Sequence, residues 1–92
     1  MQFMVIERLR DRDASAIYRR LRERGRMMPE GLHFVSSWVA ADLGRCFQLM
    51  ETDDASLFQR WIANWSDLIA FEVVPVVPGA KTAEALGGRS DV

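Results

Sequence analysis

The apolar residues of this chain change their spacing in a fixed order, strand–helix–strand–strand–helix–strand, and all six segments are complete before residue 78. Residues 3–7 are short, β-branched and aromatic, and read as a strand. Asp11 and Asp13 around Arg12 are expected to cap a helix, with Asp13 favoured by the positive end of its dipole. Ala14, Ile17, Tyr18 and Leu21 then recur at helical spacing, with Arg19, Arg20, Arg22 and Arg24 mostly opposite. Gly25 is placed to end that helix in the left-handed region. Pro29 and Gly31 keep the following connector irregular. Residues 32–40 and 45–51 read as two strands of a hairpin around Asp42, Leu43 and Gly44, with Gly44 expected at positive φ. Thr52, Asp53 and Asp54 precede the clearest amphipathic stripe: Leu57, Phe58, Trp61, Ile62 and Trp65. Asn64, Ser66 and Asp67 end it. Residues 68–77 form the last strand, where Pro75 demands an edge position or a bulge.

This doubled βαβ order is the ferredoxin-like plan, an α+β fold. It predicts one domain over residues 1–77, a four-stranded antiparallel sheet in the order 4-1-3-2, and both helices on one face. Residues 78–92 are expected to be a flexible tail with at most one helical turn at residues 82–86.

Such a sheet leaves its second face bare. A three-residue turn at Asp42, Leu43 and Gly44 would put Ser36, Trp38, Cys46, Gln48 and Met50 on that bare face. Val35, Ser37, Val39, Phe47 and Leu49 would then face the helices. On the last strand Ala70, Glu72, Val74 and Val76 alternate with Ile69, Phe71 and Val73, so both faces are largely apolar. An apolar second face needs a cover, and the simplest cover is another copy across a two-fold axis. Composition agrees: of 92 residues 49% are hydrophobic, high for so short a chain. A homodimer is the expected state.

The formal net charge is −1, so neither nucleic acid nor an anionic membrane is an expected partner. No apolar run is long enough to span a bilayer. Residues 1–6 are interrupted by Glu7 and Arg8 and read as a strand rather than a leader. Cys46 is unpaired, which suits a reducing compartment and makes the cytoplasm the expected location.

Four stretches carry a resemblance. The start (Phe3-Met4-Val5-Ile6-Glu7-Arg8), the middle (Gly44-Arg45-Cys46-Phe47-Gln48-Leu49-Met50-Glu51) and the late segments Trp61-Ile62-Ala63-Asn64-Trp65-Ser66-Asp67-Leu68 and Phe71-Glu72-Val73-Val74-Pro75-Val76 resemble domain-of-unknown-function family 3303. The likeness covers roughly residues 1–77. It implies the dimeric α/β-barrel type, in which two ferredoxin-like sheets face each other. That wider group includes cofactor-free monooxygenases, haem-degrading enzymes, isomerases and stress-response proteins. The family itself carries no established activity, so the resemblance assigns no catalytic residue.

Single residues are weighed on their own chemistry. His33 would serve as a proton shuttle or haem ligand only in a pocket; a lone histidine opening a strand reads better as a surface group. Without a second His or a Cys pair no zinc site is expected. Cys46, between Arg45 and Phe47, reads as a small buried hydrophobe rather than a reactive thiol. Trp61 and Trp65 read as core filler before ligand platform, and Trp38 as an interface anchor. Glu7 and Glu72 lie on neighbouring strands and would raise each other's pKa if both faced a dry interior; pairing with Arg8, Arg10 or Arg45 is the plainer reading. Ser36 and Ser37 lack a His–Asp partner at legible spacing. The arginines from Arg19 to Arg26 are balanced by Asp11, Asp13 and Glu23 and read as a solvated helix face.

The expectation is a homodimer that binds a small apolar molecule between its sheets at Ser36, Trp38, Gln48 and Glu72, without cofactor or metal. The alternative is an enzyme of monooxygenase or isomerase type working in the same sheet-lined interior.

Overall fold

The computed structural model describes residues 1–11 and 14–87. The expected cap at Arg12 and Asp13, and the end of the expected tail, lie outside these residues. The elements are β1 (Gln2–Leu9), α1 (Ala14–Arg24), β2 (His33–Val39), β3 (Arg45–Glu51), α2 (Ser56–Ala63), β4 (Ile69–Val76) and α3 (Gly79–Ala85). The strands form one sheet in the order β2-β3-β1-β4, with every neighbour antiparallel. This is the ferredoxin-like βαββαβ arrangement with α3 added, a helix of seven residues where the sequence suggests a single turn.

The central strand β1 alternates most cleanly. Phe3, Val5 and Glu7 are buried, whereas Met4 and Ile6 are only half-buried and Arg8 is exposed. The register sets Phe3 beside Met50 and Val5 beside Gln48 on one side, and Val5 beside Val73 and Glu7 beside Phe71 on the other. This inner face meets the helices: Phe3, Val5, Met50, Phe58, Trp61, Trp65 and Ile69 form one buried cluster, with Ile17 and Leu21 of α1 against it. The rings of Phe3 and Phe58 meet edge-on at 4.9 Å, and those of Trp61 and Phe71 at 5.2 Å. β4 pairs with β1 alone, so Pro75 sits on an edge strand, where its missing N–H costs no ladder bond.

The hairpin corrects the expected faces of β3. The Ala40 amide donates to the Arg45 carbonyl at 2.8 Å, which leaves residues 41–44 in the loop. That is one residue more than the three-residue turn, and one residue of slip turns every side chain over. Cys46, Gln48 and Met50 therefore face the helices, while Phe47 and Leu49 join Ser36 and Trp38 on the outer face. The left-handed position belongs to Leu43 (φ 65°) rather than Gly44, whose amide instead donates to Asp42 Oδ1 at 2.9 Å. Val35 is the extra residue of a bulge between Phe34 and Ser36.

Helix ends follow local hydrogen bonding. Gly25 closes α1 at φ 66°, donating to the Leu21 carbonyl at 2.8 Å. At α2 it is Asp54, of the three expected cap residues, that serves the first turn. Its Oδ1 accepts from the Ser56 amide at 3.0 Å and the Ser56 hydroxyl at 2.6 Å.

The molecule is a slab. Its shortest extent is 17 Å, and its radius of gyration of 15.1 Å exceeds the roughly 12 Å of a compact domain this long. Its accessible surface of 6409 Å² is about 1,000 Å² above the roughly 5,400 Å² expected for a monomer of this mass. The outer face, with Met4, Ile6, Phe47, Leu49, Val74 and Val76 half-buried and Trp38 51% exposed, is the side of the sheet away from α1 and α2.

Candidate functional site

Helix α1 holds no fully buried residue. Between it and the inner face of the sheet lies a cleft of about 340 Å³. Ile17 and Leu21 form the wall on α1, Trp61, Trp65 and Ile69 the wall toward α2 and β4, and Glu7, Cys46 and Gln48 the floor. Tyr18, Trp38 and Leu43, each at least half exposed, lie at the mouth.

A polar chain crosses the floor. Gln48 Nε2 donates to both Glu7 oxygens at 2.8 and 2.9 Å. Gln48 Oε1 accepts from Arg26 Nη1 at 3.0 Å. The Arg26 guanidinium also lies over the Phe34 ring, 4.0 Å from its centroid. These three contacts fix the orientation of the Gln48 amide between a carboxylate and a guanidinium.

The connector after α1 is held from the other side. Trp61 Nε1 and Trp65 Nε1 both donate to the Arg26 carbonyl, at 3.1 and 3.0 Å. Asn64 Nδ2 donates to the Met27 carbonyl at 3.2 Å. Met27 itself sits at φ 55°, a backbone region that non-glycine residues rarely enter without support. Farther along α1, Arg20 forms a two-pronged pair with Asp67, both contacts at 2.7 Å, and donates to the Asn64 carbonyl at 3.0 Å.

Electrostatics separate these groups. Burial pushes the Glu7 carboxyl above its ordinary value, opposed by the Gln48 hydrogen bond and the Arg26 charge. Burial, reinforced by the Glu7 charge, raises the Cys46 thiol as well. That disfavours the thiolate on which a nucleophilic cysteine depends. Asp67, fully exposed and gripped by Arg20, is held down to about 2.

The four residues singled out in the sequence do not converge. Ser36, Trp38 and Glu72 take outer-face positions, and Gln48 takes the inner face. Trp38 also borders the mouth of the cleft at the free edge of the sheet. Glu72 pairs with Arg8 at 3.7 Å, in the open. Glu7 opposes Phe71 rather than Glu72, so the two carboxylates lie on opposite faces. His33 is exposed at the start of β2. Arg26, which the sequence groups with the solvated arginines, is the residue that reading missed. The one signal for it is its place in a connector whose glycine and proline rule out a helix. Among the described residues no cluster of three or more His, Cys, Asp or Glu is placed to hold a metal. No helix among them is long and apolar enough to cross a membrane.

The family model of a domain of unknown function, DUF3303, matches residues 1–90, and the chain belongs to that family. The match extends past residue 77 and takes in α3. No curated protein and no solved structure matches the chain.

Proposed function

We propose that this chain binds a small, mostly apolar molecule in the cleft beneath α1. The cleft itself carries this reading: about 340 Å³ of space, apolar on its walls, with one hydrogen-bonded carboxylate in its floor. Ligand sites are mostly apolar concavities of roughly 300–1,000 Å³ with a few convergent polar groups. This moves the binding place from the outer face to the helix side of the sheet. The test is a fragment screen followed by the indole N–H resonances of Trp61 and Trp65. Apolar fragments should shift both, and Leu21→Trp, which fills the cleft, should abolish the shifts. Fragments that move neither indole would sink the proposal.

A second reading is favoured by Glu7. A carboxyl held above its ordinary value in an apolar cleft is suited to accept and return a proton. This keeps the isomerase-like alternative and relocates it. Titration of the Glu7 carboxyl by carbon-detected NMR tests it; an ordinary midpoint would remove its support.

We further propose that the outer face is the contact between two copies of the chain in a reducing cytoplasm. The support is the apolar strip on that face, where Met4, Ile6, Phe47, Leu49, Val74 and Val76 lie beside the exposed Trp38. Light scattering after size exclusion should give the dimer mass, and Leu49→Arg should give the monomer. A monomer for the unaltered chain at micromolar concentration would refute it.

A further inference from the structure

The floor of the cleft carries an unbalanced charge. Glu7 is 6% exposed, yet it takes part in none of the ion pairs among the described residues. Its hydrogen bonds come from Gln48, a neutral amide. Arg26 reaches it only through that amide and is itself engaged with Gln48 and the Phe34 ring. A carboxylate offers about four acceptor directions. Both Glu7 oxygens are met by one and the same nitrogen, so acceptor capacity is left over on the side that borders the cleft. A buried carboxylate is costly until something donates to it or carries the opposite charge.

The walls fit such a donor. Trp61 and Trp65 have their only polar hydrogens committed to the Arg26 carbonyl. What they present to a ligand is ring surface, which is negative at its face and attracts cations. Tyr18 and Trp38 add two more rings at the mouth. Among the described residues the one guanidinium bordering the cleft is already bound, so among them an anionic ligand would meet a carboxylate with no open cation to offset it.

We propose that the cleft selects a small monocationic amine, its ammonium group on the Glu7 carboxylate and its apolar body against Ile17, Leu21, Trp61 and Trp65. This rests on the cleft being the ligand site. The direction of the Glu7 shift agrees with it, since burial holds the carboxyl up despite the Gln48 hydrogen bond and the more distant Arg26 charge, and an ammonium group in direct contact would offset that burial.

The test uses three probes of one shape on the full chain at neutral pH: 2-phenylethylamine, 2-phenylethanol and phenylacetate. Affinity is read by calorimetry, and location by the Trp61 and Trp65 indole resonances. The amine should bind tighter than the alcohol by roughly ten-fold or more, the scale of a charge-assisted contact. Phenylacetate should bind weakest. Glu7→Gln should erase the advantage of the amine over the alcohol. If that variant does not fold, Glu7→Asp keeps the charge but withdraws it by one methylene, and should shrink the advantage of the amine over the alcohol. Equal or tighter binding of the alcohol or of phenylacetate overturns the amine assignment and leaves the cleft a ligand site. Failure of all three probes to move either indole overturns both.

Discussion

The two halves of the inner face are filled in opposite ways. Under α2 the sheet is packed solid: Met50 is wholly buried, and Phe58 and Trp61 are each 3% exposed. Under α1 the same sheet meets a helix with no buried residue and a cleft between them. Side-chain size accounts for much of this. α2 delivers Phe58 and Trp61 to the sheet, where α1 delivers Ile17, Leu21 and Ala14. Dense packing stabilises, whereas space with polar groups at its base can admit a ligand. One small domain thus sets dense packing and open space side by side along a single surface.

The largest test of that contrast is truncation on each side. Phe58→Ala should cost about 3–5 kcal/mol in denaturant unfolding, the range for a buried aromatic residue. Ile17→Ala should cost only about 1 kcal/mol, because its surroundings are already open. Equal costs would mean that the hollow half is as tightly packed as the solid one. Next come the two indoles on one carbonyl. Trp61→Phe and Trp65→Phe each leave the Arg26 carbonyl one donor. The double variant strands it, and should exceed the sum of the singles by ~0.5 kcal/mol or more. Strict additivity would show that the indole hydrogen bonds do not share this carbonyl.

Glu7 gives a smaller effect with a definite sign. Its folded-state pKa lies above the ordinary 4.5, so the folded chain binds the proton more tightly than the unfolded one. The stability it contributes is full below that ordinary value. It falls as pH rises through the folded pKa and is flat above it. Denaturation midpoints at several pH values should show this slope in the unaltered chain and lose it in Glu7→Gln. The smallest effect belongs to the exposed Arg20–Asp67 pair. Its contribution is present above the ordinary 3.8 of Asp67 and is lost only as pH falls through about 2. Because solvent screens this exposed pair, Asp67→Asn should barely move the melting temperature near neutral pH.

The element order and strand order were legible because each segment keeps its own hydrophobic period. β3 was not, because its two faces are alike in the sequence. Cys46, Gln48 and Met50 are no more obviously outward than Phe47 and Leu49, so only the length of the hairpin loop decides. That length turned on Leu43 entering the left-handed region, a place the pattern reserves for Gly44. Trp61 and Trp65 were legible as core, and their rings are buried. Their second task, holding the Arg26 carbonyl, involves a connector residue 35 and 39 positions earlier in the chain. No local pattern encodes that contact. The cleft was illegible for the same reason, since it depends on how far α1 stands from the sheet.

The placement of the three tryptophans gives the chain built-in optics. Trp61 and Trp65 are shielded inside the cleft, while Trp38 is 51% exposed at its mouth, on the outer side of the sheet. Iodide in solution should quench the emission of Trp38 and spare the other two. A molecule entering the cleft should alter the shielded component, and pairing of two chains through the outer face should protect the quenchable one. One emission spectrum, recorded with and without quencher, would separate the two events without a label.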